Sequence, residues 1–385
     1  MTERQSFSPD GRPRARALGI APSGRPGPWN AITDVPGVEV GYRTLISGDG
    51  ELRVGEGPVR TGVTAILPRG RDGLGRPCTA GWYSLNGNGE MTGTAWIDEV
   101  GQLSLPVTIS NTHAIGACHT GVVQWINRQP AQLAREWLLP VCAETWDGYL
   151  NDINGGHVTP EIVCAALDAA ESAPLREGSI GGGTGMNCYA FKGGSGTASR
   201  RLELCGHSYT LGVFVQANFG SRAELTIAGQ RVGAALDVEN PMEARPTPST
   251  PAPPAGAGSV IVIIATDAPV DALQCKAMAR RVPLGLARTG TTGSLFSGDL
   301  FLAFSTAGDR LPDTGFPTGY PSRSELVTST RLPWNRMDAV YTAVVEAVEE
   351  SVLNALIVNN DMTGRDGHRS PALPHDRLRR LLRRP

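Results

Sequence analysis

Lysine is nearly missing from this sequence: Lys192 and Lys276 stand against 33 arginines. Schiff-base or pyridoxal chemistry therefore has little to draw on. Aromatic residues make up only 6% of the chain. No stretch approaches the roughly 18–20 consecutive apolar residues of a membrane-spanning helix, so a membrane-embedded protein is not expected. The opening MTERQSFSPDGRPRARALG is charged but has no apolar h-region. It does not read as a secretory leader, and a floppy lead-in is expected there. The seven cysteines (78, 118, 142, 164, 188, 205, 275) are odd in number and form no C-x-x-C pair. They read as reduced core residues of a cytoplasmic protein. A net charge of −2 argues against nucleic acid or an anionic membrane as the main partner. Metal signatures are missing too. There is no H-E-x-x-H, His113 and His119 are six apart, and His157, beside two glycines, reads as structural. No G-x-S-x-G elbow occurs. Neither a metal nor a cofactor is expected.

What the sequence has in quantity is glycine (48 residues) and proline (29), set between apolar runs spread over nearly the whole of its 385 residues. That combination predicts many tight turns and close backbone approaches in a folded chain. GVEVGYRTL, TGVTAILP and QLSLPVTIS read as strands and hairpins over 30–110. Residues 114–127 and 160–171 read as helices, the second with Thr159 as N-cap and Pro160 at its first position. RLELCG, YTLGVFVQANFG and a hairpin over 223–236 follow. SVIVIIATDAP is the strongest buried-strand signal, and DLFLAFSTA (299–307) is a second. A helix carrying Cys275 and Met278 lies between them, and 337–357 is the longest helix. Strands mixed with a few long helices predict helices layered over antiparallel sheets.

Two segments invite chemistry. GSIGGGTG (178–185) has the glycines of a dinucleotide loop, but a helix precedes it and no amphipathic helix follows. A structural turn, or a wall beside a substrate, is the better reading. The second segment is the junction at 258/259. The stretch 243–258, EARPTPSTPAPPAGAG, is too rich in proline and small residues to build a core and reads as a flexible linker. It ends in Gly258, and Ser259 opens the buried strand. Glycine would allow the strained backbone in which a neighbouring hydroxyl attacks the preceding carbonyl. Cleavage would leave Ser259 with an α-amine of ordinary pKa about 7.7–8, able to act as base for its own hydroxyl. The plain alternative is a linker that simply leads into a strand.

The motifs GAGSVIVIIATDAPVDALQCKAMARRVPLGLARTG and SGDLFLAFSTA resemble the core of the L-aminopeptidase/D-amidase-esterase (DmpA) family. Its relatives include β-peptidyl aminopeptidases. The resemblance extends over most of the chain through ITDVPGVEVGYRTL, NTHAIGACHTGVV, AETWDGYLNDI, GGGTGM, VQANFG and NALIVNNDMTGRDG. It implies an α/β (α+β) fold, a four-layer αββα sandwich similar to the N-terminal-nucleophile hydrolases. It further implies one domain, residues 1–385, cut into 1–258 and 259–385, which stay together and assemble as a homo-tetramer.

Carried onto this sequence, the resemblance implies Ser259 as nucleophile and Gly258–Ser259 as the cut bond. Ser297 and Asp299 would tune the nucleophile's amine and hydroxyl. Asn218 would stabilise the oxyanion, and Glu144 would hold the substrate's free amine. Trp146 matches a position where some relatives carry a tyrosine, so its contribution to the oxyanion site and the acyl pocket would differ. Without the resemblance, Ser297–Asp299 would read as a turn and cap, Asn218 as a turn residue, and Glu144 as a surface acid. The implied substrate is a small peptide, amino-acid amide or ester. An acyltransferase on the same scaffold and a non-catalytic binding or scaffold protein stay open.

Overall fold

The computed structural model describes residues 2–20, 22–129, 138–243, 257–308 and 328–383. Of the expected linker, 244–256 therefore lie outside the described residues. The strands are β1 (Glu39–Ser47), β2 (Val59–Leu67), β3 (Cys78–Ser84), β4 (Gln102–Leu103), β5 (Val107–Asn111), β6 (Val141–Thr145), a small ribbon of β7 (Asn187–Cys188) and β8 (Phe191–Lys192), then β9 (Gly194–Leu204) and β10 (His207–Asn218), a second ribbon of β11 (Thr226–Ile227) and β12 (Gln230–Arg231), β13 (Gly258–Thr266) and β14 (Ser297–Ser305), and a third ribbon of β15 (Met362–Thr363) and β16 (Arg369–Ser370).

Two sheets dominate. One has the order β1-β2-β5-β6 and the other β4-β3-β14-β13-β10-β9. Residue alternation along β13 shows how they stack, because neighbouring side chains of a strand point to opposite faces. Ile261, Ile263 and Ala265 meet Val40, Ile66, Val107 and Ile109 of the other sheet in one core. Val260, Val262 and Ile264 join a second core with the helix Met337–Ile357. A third core lies between the four-stranded sheet and the helices Ile115–Ile126 and Pro160–Asp168. The layers thus run helix, sheet, sheet, helix, as the resemblance implied. β13 is buried from Ser259 onward on both faces, which explains why its sequence is a nearly unbroken run of Val and Ile.

Four expectations need correction. The sheets are mixed: β13 runs parallel to β14, and β5 parallel to β6. The lead-in is anchored, not floppy. Arg14 and Arg16 are buried, with Arg14 Nε 2.7 Å from Glu177 and Arg16 Nε 2.6 Å from Glu350. Both acids sit in the core, where a buried guanidinium needs such a partner. Six cysteines are buried, but Cys205 is exposed. The helix expected over 160–171 stops at Asp168 because Glu171 is drawn into a backbone bridge with Val40 of β1.

Candidate active site

Ser259 lies at the head of β13, one of the two central strands of the larger sheet. Its two neighbours fix what surrounds it. β10 pairs antiparallel, placing Asn218 opposite Ser259. β14 pairs parallel, placing Ser297 beside Gly258, Gly298 beside Ser259 and Asp299 beside Val260. Three strand ends therefore converge on the Gly258–Ser259 bond.

Gly258 is extended strand backbone and is not among the left-handed glycines, so its conformation is unstrained. The need for glycine is one of space: a Cβ at 258 would sit 2.0 Å from the carbonyl oxygen of Asn218. That replaces the strained-backbone rationale with a close approach of two chains.

Side-chain alternation puts Ser259 Oγ on the between-sheet face, with Ile261. There it accepts a hydrogen bond from the backbone N–H of Trp146 at 3.1 Å, and Asn218 Nδ2 lies 3.5 Å away. Asn218 is itself fixed. Nδ2 also donates to the Trp146 carbonyl at 2.8 Å, and Oδ1 accepts from the Asn187 N–H at 2.9 Å. Two N–H donors thus point at one oxygen that is 2% exposed as a residue. The indole of Trp146 takes no part in this. It lies over Gly148 and the residue is 44% exposed, so the main chain and not the side chain supplies the donor.

Ser297 and Asp299 lie on the other face of the sheet, the side of Val260 and Phe301. Ser297 Oγ donates to Asp299 Oδ1 at 2.5 Å. Burial raises the Asp299 pKa, against the pull of donors from Ser297, Asn86 and the Val260 N–H. The structure brings this pair beside the 258–259 bond but not onto the face of the serine hydroxyl.

Glu144 is buried in β6, which ends the reading of it as a surface acid. The Glu90 N–H donates to Oε1 at 3.0 Å and the Thr112 hydroxyl to Oε2. Desolvation raises its pKa, with the Thr112 and Glu90 N–H donors opposing.

Several groups here carried no signal in the sequence. The loop Leu85–Glu90, LNGNGE, has the composition of an ordinary turn, yet it touches both acids. Asn86 bonds Asp299 and Glu90 bonds Glu144. A Cβ on its Gly89 would lie 3.0 Å from Gly298 Cα and 3.1 Å from Glu144 Oε1, so the loop runs between the head of β14 and Glu144. Next to Trp146, Asp147 is buried and its carboxyl is pushed up to about 7 by desolvation. Burial pushes Lys192 down to about 7 while its ammonium donates to the carbonyls of Met186 and Gly193 at 2.7 and 2.8 Å. The glycine loop is a structural turn. Its N–H groups at 181 and 182 are taken by the hydroxyls of Thr44 and Thr64. His157 pairs with Asp152 at 2.8 Å, as a structural histidine would.

The layered fold is that of a hydrolase of the Ntn type in variant form. It superimposes on the l-aminopeptidase d-ala-esterase/amidase of Ochrobactrum anthropi, described as a new variant among the Ntn hydrolase fold. The TM-score is 0.87 at 44% identity, covering 97% of this chain and 98% of that one. It matches a Burkholderia sp. beta-aminopeptidase with a TM-score of 0.84 at 42% identity, covering 97% and 100%. By sequence it is 46% identical over 376 residues to the beta-peptidyl aminopeptidase BapA of Sphingosinicella microcystinivorans, covering 97% of this chain and 92% of the relative. Residues 30–370 match Peptidase family S58, and the chain belongs to that family. It is a peptide-bond hydrolase of the aminopeptidase kind.

Proposed function

We propose that this chain is a self-processing serine aminopeptidase. It cuts its own Gly258–Ser259 bond and then releases N-terminal residues from peptides, amides or esters through an acyl-enzyme on Ser259. The observation that carries the reading is the setting of Ser259 Oγ: it is the first buried hydroxyl after the junction, and Trp146 N–H and Asn218 Nδ2 both aim at it.

In the processed enzyme Ser259 Oγ attacks the substrate carbonyl carbon, and its proton passes to the serine's own α-amine. Ser297 and Asp299, in register beside the cut bond, orient that amine. As the carbonyl oxygen takes up charge, Asn218 Nδ2 and the Trp146 N–H are placed to donate to it. The C–N bond then breaks, the leaving amine carries away the proton, and water resolves the acyl ester. Glu144 takes the substrate's ammonium by a charge-assisted hydrogen bond. Peptides beginning with a β-amino acid are the first substrate class to assay, given the names of the relatives. Assembly of the cut pair into a cytoplasmic homo-tetramer belongs to the same reading.

A denaturing gel with N-terminal sequencing tests it. Wild type should yield fragments 1–258 and 259–385, the smaller beginning Ser-Val-Ile, and Ser259→Ala should stay whole and inactive. Full activity in an uncut wild-type chain would overturn the proposal.

A further inference from the structure

We infer that Asn86 is a positioning residue for Asp299, holding that carboxyl in the orientation in which it receives the Ser297 hydroxyl. The inference rests on the reading of Asp299 as part of the relay. Three hydrogen bonds carry it. Asn86 Oδ1 accepts from the Asp299 N–H at 2.8 Å, while Nδ2 donates to Asp299 Oδ2 at 3.1 Å and to the Ser294 carbonyl at 2.9 Å. The same Ser294 carbonyl accepts the Ser297 N–H at 3.0 Å. One carboxamide therefore spans the turn that leads into β14, the backbone of Asp299 and one of its two carboxyl oxygens. The other oxygen is left for Ser297.

The loop that carries Asn86 is pinned along its length. Leu85 N–H donates to the Asp299 carbonyl at 3.0 Å, Ser84 Oγ to the Asn86 carbonyl at 2.9 Å, and Asn88 Nδ2 to the Phe296 carbonyl at 3.0 Å. Asn86 is thus preorganised before any substrate arrives. An amide also suits the role chemically. It donates at every pH, whereas an acid in its place would compete with Asp299 for a proton. The groups that act on Asp299 are the Ser297 hydroxyl, the Asn86 amide and the Val260 N–H. None is charged in the uncut chain, and self-cutting adds the Ser259 amine and the Gly258 carboxylate, which are common to wild type and the Asn86 variants.

The test uses the full-length processed protein, with kcat and KM followed against pH on the amino-acid anilide that wild type turns over fastest. Asn86→Ala should lower kcat about tenfold with KM within about threefold, the size of one lost hydrogen bond to a charged group. Its acid limb should move to higher pH, because loss of a donor favours the protonated acid. Asn86→Asp keeps the shape and the acceptor for the Asp299 N–H but brings a like charge. It should lose more activity, move the acid limb further, and cut itself more slowly. A purely structural role would instead make Ala the worse variant and leave the limb in place. That outcome, or a folded Asn86→Asp with kcat within about twofold of wild type, overturns the inference. Asn86→Asp also decides the matter if the alanine variant does not fold. Asp299→Asn separates the two failures. Wild-type kinetics there would sink the relay reading itself. A crippled Asp299→Asn beside unaffected Asn86 variants would sink only the present inference.

Discussion

The two faces of β13 at its head differ in kind. On the between-sheet face Ser259 Oγ meets neutral donors, the Trp146 N–H and the Asn218 amide. On the helix face sits a hydroxyl bonded to a buried carboxyl, Ser297 and Asp299. Strand alternation enforces the division, since successive residues along a strand point to opposite faces and Asp299 pairs with Val260, not with Ser259. The difference suits the two demands of acyl transfer. Developing negative charge on oxygen wants fixed donors and no competing anion, whereas managing a proton wants an acid nearby. In the proposed mechanism, the carboxyl placed across the sheet would not repel an oxyanion, while it stays in register with the backbone at 258–259.

Removing the donor side should cost most. Asn218→Ala deletes an N–H aimed at the reacting oxygen, and a loss of about 100-fold or more in kcat is expected, with KM little changed. Steady-state kinetics on processed protein checks this, and a loss confined to KM would break the assignment of that face. The proton side should cost less. Ser297→Ala and Asp299→Asn are expected to lower kcat by about 10–100-fold, at or below the lower end of general acid–base contributions because they act through the amine, again with little effect on KM. Equal rates in wild type and both variants would reduce the helix face to a turn and cap.

Glu144 lies near the head of β14 across Gly89, and its expected effect is smaller again. Free-amine substrates should be hydrolysed at least about tenfold faster than their acetylated forms, equivalent to roughly 1.4 kcal/mol. Glu144→Gln should erase most of that preference. The pH dependence follows from the sign of the shift. Burial raises the Glu144 pKa, so its proton leaves at a higher pH than that of a free glutamate. The amine preference should therefore fade on acidification before an ordinary carboxylate would titrate. For stability the sign is opposite: this carboxyl favours the folded state below its unfolded pKa of about 4.3 and loses that contribution as pH rises through the raised value. Rates on the paired substrates across pH, in wild type and mutant, read the preference, and the pH dependence of unfolding reads the stability. An unchanged preference in Glu144→Gln would move the amine site elsewhere.

What was legible in the sequence is what strand ends make legible. Ser259, Ser297 and Asn218 each border a long apolar run, which marks them as strand ends, while the roles of Ser297 and Asn218 came through the family resemblance. Arg14 and Arg16 were not legible, because their acids lie 163 and 334 residues away and nothing local distinguishes a paired arginine from a solvated one. Asn86 and Glu90 were hidden for a related reason. Asn-Gly repeats mean a turn wherever they occur, and only the fold shows which acids that turn touches. Glu144 was named through the family resemblance, but its burial came from Thr112 and the 85–90 loop closing over it.

The smallest effect is expected at Trp146, and it sharpens the comparison most, because there the residue and the acting atom part company. The sequence draws attention to the indole, whose N–H would be a weak stand-in for a phenol. The structure turns the indole away, over Gly148, and presents the main-chain N–H to Ser259 Oγ at 3.1 Å. Any residue but proline supplies that N–H. The turn that aims it is held by the Asn218 amide on the Trp146 carbonyl and by Asn151 Nδ2 on Asp147 Oδ1 at 3.0 Å, neither of which uses the indole. Trp146→Phe should then keep both donors in place and change kcat by less than about threefold, under roughly 0.7 kcal/mol in the barrier. The half-exposed ring is apolar surface on the residue whose N–H meets the nucleophile. Its loss should appear in KM and in the ranking of substrates by the size of their acyl side chain. A fall in kcat as deep as that of Asn218→Ala would mean that the indole itself reaches the oxyanion once the chain is cut, and that the two faces do not divide the work as the uncut structure divides their atoms.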